Sequence, residues 1–281
     1  MRSILNGLQH YFLGTGGTNF KFSDGQGRLL EVEDETRASV SATTFFLTEN
    51  TIKFDRVDTI STWMETEQGP IGVLNGPKGG TISLWFKNDP FYFAPTFICH
   101  RRYTSADREY QFTLSSSTNN YIFSIVSTSG TFYTVDSLLS RTSGIWHHAV
   151  FGFDPLLKRG FLSIDGARIE YTDVLDTGIP QTFVNNRFVL GVAPWNQNTF
   201  YNGHVTQPII WDRVLTREEM LYLYNNGQGR SRNEIFTPME QVYDYPLFRE
   251  PLITGGIPTL SAPGVIDITA TSARPQVTLT Y

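Results

Sequence analysis

Apolar and polar residues alternate through most of the chain in short runs, broken by Gly, Asn, Ser, Thr and Pro. A period of two places successive side chains on opposite faces of a strand, so the pattern predicts half-buried strands rather than helices. Gly79 through Lys87 is a clear case, with Ile82, Leu84 and Phe86 on one face. Tyr110–Leu114, Tyr121–Val126 and Thr131–Val135 read as a meander. Trp146–Phe153 runs into the turn Asp154-Pro155, and Arg159–Ile164 into Asp165-Gly166. Asp-Gly suits a tight hairpin because glycine accepts positive φ at little cost. Leu8–Leu13, Leu29–Val32, Asn50–Phe54 and Arg187–Val192 are further strand candidates.

The period changes once. Gly203–Trp211 reads as a final buried strand, and the residues after it carry a complete set of helix signals. Thr216 and Glu219 form a capping box, each side chain placed to bond the other's backbone amide. Leu215 and Met220 are spaced for a hydrophobic staple, and Asn225-Asn226-Gly227 supplies a left-handed stop. Many short strands closed by one helix predict an all-β fold, an antiparallel jelly-roll β-sandwich with one short C-terminal helix. After Gly229 the periodicity fades among prolines and Gly255-Gly256. The expected organisation is therefore a jelly-roll domain over 1–229 and an extended tail over 230–281. The tail ends in two strand candidates, and a terminal strand with an open edge invites pairing with a neighbour. Ile266, Ile268, Val277, Leu279 and Tyr281 are the candidate docking residues for another subunit.

Composition narrows the function classes. Charged residues make up 17% of the 281, and the net charge of -5 argues against nucleic-acid binding, which needs clustered Lys and Arg. Cys99 is the single cysteine, so no intramolecular disulfide forms, and its apolar neighbours suit a buried strand thiol. No apolar run reaches the ~18–20 residues of a membrane span, and the N-terminus has no secretory pattern. The expectation is a chain made in a cytosol with no export signal. Gly14-Thr15-Gly16-Gly17 lacks the Lys-Ser/Thr pair of a phosphate loop and reads as a turn.

Residues from about 7 to 228 resemble the laminin-G-like, concanavalin-A-like jelly-roll modules. The likeness is carried by Phe54-Asp55-Arg56-Val57-Asp58, Thr81 through Lys87, Trp146-His147-His148-Ala149-Val150 with Ile164-Asp165-Gly166, and Phe200-Tyr201-Asn202-Gly203. The resemblance implies two curved antiparallel sheets packed face to face, with the helix Arg217–Tyr224 near the rim. It implies a binding module for glycans or protein partners, some members being glucanases. It also implies calcium ligands at an early turn and just after the last strand begins. Asp55 and Asp58 stand at the first place, but Thr206 and Gln207 replace the acids at the second, so calcium is not the expectation. Asp55 and Asp58 then read as turn caps, and no other cofactor is expected.

A glucanase needs an acid and a nucleophile on one face. The nearest echo, Glu31-Val32-Glu33-Asp34-Glu35, is misplaced toward the N-terminus and reads as a solvated acidic turn. His147 and His148 are adjacent on a strand and point to opposite faces, so they do not share a metal. No Gly-x-Ser-x-Gly elbow occurs. No catalytic residues are assigned.

The loop holding Trp195, Asn196, Asn198, Phe200 and Tyr201 combines aromatic rings with amides. It suits stacking and hydrogen bonding to a sugar, a protein contact, or a plug for the sandwich end, and sequence leaves all three open. The leading expectation is a non-catalytic bacteriophage virion protein, a capsid decoration or attachment-fibre component that is a homo-oligomer contacting capsid or tail subunits. Such a protein folds in the host cytosol and leaves by lysis, and the tail residues 260–275 are similar to those of phage-encoded proteins. The alternatives are a soluble module for cell-surface glycan or, further off, a glycoside hydrolase.

Overall fold

The computed structural model describes residues 74–90, 95–101, 108–183, 186–191 and 200–236, with Ile4, Asn6 and the shorter strands named next. The chain opens with Leu8–Tyr11 (β1), Leu13–Gly14 (β2), Lys21–Ser23 (β3), Leu29–Val32 (β4), Ala38–Ser41 (β5) and Thr51–Phe54 (β6). Then come Arg56–Val57 (β7), Ile60–Ser61 (β8), Met64–Thr66 (β9), Gly80–Asn88 (β10), Thr96–Arg101 (β11) and Arg108–Leu114 (β12). Asn120–Val126 (β13), Phe132–Ser140 (β14), Trp146–Asp154 (β15), Arg159–Ile164 (β16), Glu170–Tyr171 (β17), Arg187–Leu190 (β18) and Gly203–Trp211 (β19) follow. Two helices, Arg217–Tyr224 (α1) and Arg232–Phe236 (α2), precede Leu260–Ser261 (β20), Val265–Ile268 (β21) and Val277–Thr280 (β22).

Two large antiparallel sheets and a small two-stranded β7-β8 sheet make up the first compact unit, Met1–Ile235. One runs β17-β16-β15-β10-β19-β6-β5, with β1 also on β19; the other runs β14-β13-β12-β11-β18-β9-β4-β3-β2. This is the jelly-roll sandwich that the alternation predicted. Ile82, Leu84, Phe86 and Phe151 of the first sheet are buried in one core with Phe97, Phe112 and Phe123 of the second. Phe151 stacks on Phe112 at 5.1 Å, and Phe86 meets Phe97 at 4.7 Å. Each such ring contributes about 2 kcal/mol of burial, so the seam between the sheets is the main source of stability.

The strand β19 is buried along its whole length, because the outer face of its sheet is also covered. Trp211 donates its indole N–H to the carbonyl of Ile4 at 2.9 Å, fixing the N-terminal segment there. Between Ile209 and Thr206 the pairing with β10 shifts register, and Gln207 takes a left-handed φ of 50° at that bulge. An extra residue in one strand is accommodated this way, with the neighbouring twist increased.

The helix α1 follows its sequence signals closely. Thr216 accepts from the amide of Glu219, Glu219 returns to the amide of Thr216 at 2.8 Å, and Leu215 and Met220 are both buried. Asn225 ends the helix in the left-handed region. α1 lies against the outer face of the first sheet, where Tyr224 stacks over Trp85 at 6.0 Å. Arg217 ties its start to the hairpin by donating to the carbonyls of Gly166, at 2.8 Å, and Ala167. Gly166 has φ +63° and sits so close beneath α1 that a Cβ there would fall 2.8 Å from the Tyr224 ring.

Three expectations are revised. The first unit runs past Gly229 to Ile235, because Ser231 caps α2 through Glu234 and Ile235 is buried. Glu31 is not in a solvated turn but on β4, paired across the ladder with Glu65 of β9; residues 33–35 lie outside the described ones. In the second unit, Phe236–Tyr281, the terminal strands do not stand free: β20, β21 and β22 form a three-stranded sheet. There Ile266 partners Leu279 and Ile268 partners Val277, so these docking candidates share one ladder; Tyr281 lies outside the described residues.

Candidate functional site

Strand register brings a set of connections to one end of the sandwich. Phe54 at the end of β6 and Asn88 at the end of β10 both stand opposite Gly203, the first residue of β19. Trp146, which starts β15, faces Lys87. In the other sheet Leu114 faces Tyr121, Asn120 faces Ser140, and Leu190 faces Met64. The segments 55–63, 89–95, 115–119, 141–145 and 191–202 therefore all leave from this end.

Direct bonds tie four of these connections together. Gly144 donates to the carbonyl of Asn88 at 2.7 Å, and Arg141 donates from its backbone to Asn119 at 2.8 Å and from its guanidinium to Asp89 O at 2.7 Å. Tyr201 donates to Gly191 O at 2.7 Å, and Asp89 to Asn202 O at 3.1 Å. Beneath them lies a buried polar floor. The Asn88 amide donates to the Tyr121 hydroxyl at 2.7 Å, and burial pushes that phenol's ionisation up to about 12. His147 bridges the Thr142 hydroxyl and the Asp165 carboxylate, the latter at 2.6 Å. Asp165 also accepts the backbone N–H of His148 at 2.8 Å.

The two histidines do face opposite ways, as their adjacency on a strand required. His147 lies among Phe86 and Tyr121 on the core side. His148 is on the outer face, stacked on Trp85 at 4.8 Å and bonded to the Ser83 hydroxyl at 2.9 Å. Burial pulls its protonation down to about 3, with Asp165 opposing, so it is neutral at ordinary pH. Both are parts of the scaffold.

Of the ligand candidates, Phe200 and Tyr201 are buried and do not offer stacking faces. Tyr201 packs on Phe97 at 4.8 Å and Phe54 at 5.9 Å, and its hydroxyl lies 2.7 Å from Lys87 O and 3.0 Å from His204 O. They anchor the C-terminal root of the 191–202 connection. Trp195, Asn196 and Asn198, like Asp55 and Asp58, lie outside the described residues.

At the late calcium position the residues present do not fit the implied ligand set. Thr206 is buried opposite Trp85, and Gln207 turns its amide to donate to Arg230 O at 2.8 Å. Among the described residues, no group of three or more His, Cys, Asp or Glu side chains stands together as a metal site. The buried carboxylates are held by partners: Glu65 by Arg187, Glu109 by Phe183 N–H and the Asn186 amide, Glu219 by Arg213. Sequence reasoning missed Asn88, Tyr121, Arg141 and Thr142, which carry no local motif. For Asp165 the signal was present as a turn, but not its second use as an acceptor.

A laminin-G model, described as the concanavalin A-like lectin/glucanases superfamily, matches residues 58–221. The chain belongs to this superfamily. No curated protein sequence matches it. Among solved structures it is similar to the binding domain of Botulinum neurotoxin DC in complex with SialylT, at 13% identity and a TM-score of 0.58, over 79% of this chain and 52% of that one. The same toxin domain in complex with rat synaptotagmin II gives 13%, 0.57, 79% and 52%. A native heptameric SAP-like pentraxin from Limulus polyphemus gives 12% and 0.50, over 65% of this chain and 85% of that one. The chain spans about half the length of the toxin domains. At these identities the likeness is one of fold. Among the described residues, no helix is long and apolar enough to cross a membrane.

Proposed function

We propose that this superfamily member is a non-catalytic contact module that binds glycan through the loops at the Asn88–Gly203 end of its sandwich. One observation carries the reading: register delivers at least five connections to one end, over a floor of hydrogen-bonded buried groups. Loops on a rigid base are where a sandwich varies its contacts while keeping its fold. Trp195, Asn196 and Asn198 belong to one of those connections, and ring faces with amides are the chemistry that sugars take. The partner assignments of Glu65, Glu109 and Glu219 support a non-catalytic role. The test is a glycan array with the full chain. Wild type should bind one class of sugar, without calcium, and Trp195→Ala should lose about tenfold or more; absence of all sugar binding would end the glycan reading. Release of reducing ends from any polysaccharide would end the non-catalytic one.

In its finer form the proposal places the module on a bacteriophage particle, as a decoration or attachment-fibre component, with the second unit making the subunit contact. Its support is the likeness of residues 260–275 to phage-encoded tails, together with the separate sheet those residues help to form. A chain lacking residues 236–281 should fail to join particles; normal incorporation would remove the docking role.

A further inference from the structure

Large apolar side chains left in water are concentrated at the other end of the sandwich. Among the described residues, nine are exposed, and six of them share one corner: Phe132, Leu156, Leu157, Tyr171, Val174 and Ile179. Leu156 is 92% exposed and the other five lie between 39% and 50%. They come from three segments joined by hydrogen bonds. Leu175 donates to Lys158 O and Thr172 to Gly160 O, both at 2.9 Å, fixing 172–175 beside the 155–158 turn. Thr128 donates to Ile179 O at 3.2 Å, and the Asp176 amide donates to the Tyr133 hydroxyl at 2.9 Å, closing the corner onto β14.

The backbone presenting these groups is pinned. Asp154 accepts from the amides of Leu156 and Leu157 at 2.8 and 3.1 Å, and Asp176 accepts from Ser129 at 2.5 Å and Thr131 at 3.3 Å. Holding leucines outward on a fixed turn gives nothing back to folding, since their apolar area stays wet. At these exposures the six side chains leave roughly 600 Å² of residue surface in solvent, the upper end of what a monomer shows. That is most of the ~800 Å² that each partner contributes to a standard interface.

We propose that this corner is a self-association surface, on which a second copy of the chain docks by the same patch to form a two-fold dimer. Two features favour a second copy over a different protein. The rim carries both signs in balance: Arg108, whose guanidinium lies 4.3 Å from the Phe132 ring centre, with Lys158 and Arg159, against Asp154, Asp173 and Asp176. An isologous contact sets a surface against itself, so a one-signed rim would repel whereas a mixed one pairs. Of the other exposed apolar residues, Leu138 is near the far end of β14 from Phe132, and Ile145 and Leu221 are on other segments, so no second patch of this size complements it head to tail among the described residues. The surface is also remote from the loop end: Gly80 of β10, beside the corner, is eight residues and about 27 Å along the strand from Asn88.

Sedimentation equilibrium on the full chain tests this. Wild type should have twice the mass of the chain. Leu156→Glu/Leu157→Glu should halve that mass with unchanged circular dichroism, Ile179→Glu should do the same from the neighbouring segment, and Ile145→Glu at the loop end should leave the dimer intact. A wild-type mass other than twice the chain overturns the proposal, as does a dimer that survives both corner variants. Should the double variant not fold, Ile179→Glu alone decides.

Discussion

Arg213 and Glu219 meet through two parallel hydrogen bonds of 2.7 Å, buried where the last strand turns into α1. The same carboxylate closes the capping box on Thr216, so one side chain joins strand end, helix start and cap. Removing one member of a buried pair strands the other charge, which costs about 3–5 kcal/mol. Glu219→Ala should therefore lower unfolding free energy in urea by at least about 3 kcal/mol, whereas Thr216→Ala should lower it by about 1 kcal/mol. Equal small losses from the two variants would show that the ion pair is not what holds the junction.

His148 makes stability fall in acid. Unfolded, its imidazole protonates near ~6.5; folded, burial holds that step to about 3. Between those values the unfolded chain binds the extra proton, so stability rises with pH. The contribution is complete above ~6.5 and is lost progressively as pH falls toward 3. From pH 7 to 5 wild type should lose about 2 kcal/mol more than His148→Phe, which keeps a ring between Trp85 and Tyr224. Parallel pH curves for the two proteins would rule this out.

How far these groups could be read from sequence depends on the range of their interactions. The capping box, the staple and the Asn225 stop act within a dozen residues, and sequence places each of them. Opposite faces for His147 and His148 follow from strand geometry alone. Phe200 and Tyr201 looked like surface aromatics because polar residues surround them, yet Tyr201 fills a gap between Phe54 and Phe97, far off in the chain. Asn88 meets Tyr121 only once the two sheets pack, and Glu31 faces Glu65 only once β4 pairs with β9. No periodicity encodes pairings of that span.

Leu138 holds a left-handed φ of 57° while 67% exposed, at the point where β14 slips register against β13. Its amide is fixed by Asp136 at 2.7 Å, and Asp136 in turn by Asn120 at 3.0 Å. For a leucine this conformation costs about 1 kcal/mol, whereas asparagine adopts it readily. Leu138→Asn should raise unfolding free energy by about 0.5–1 kcal/mol in urea titration; a loss of stability would mean that the leucine makes a compensating contact.

The central strand β10 joins the apolar corner to the loop end as one unbroken span, Gly80–Asn88. Copies held at the first end keep their second ends apart and turned outward, at a spacing set by rigid strands rather than by a linker. Such a pair gains avidity only where targets lie at a matching distance, because effective concentration collapses when the span cannot be met. The assembly would then respond to how densely a surface is coated, telling a crowded coat from scattered copies of the same chemical group.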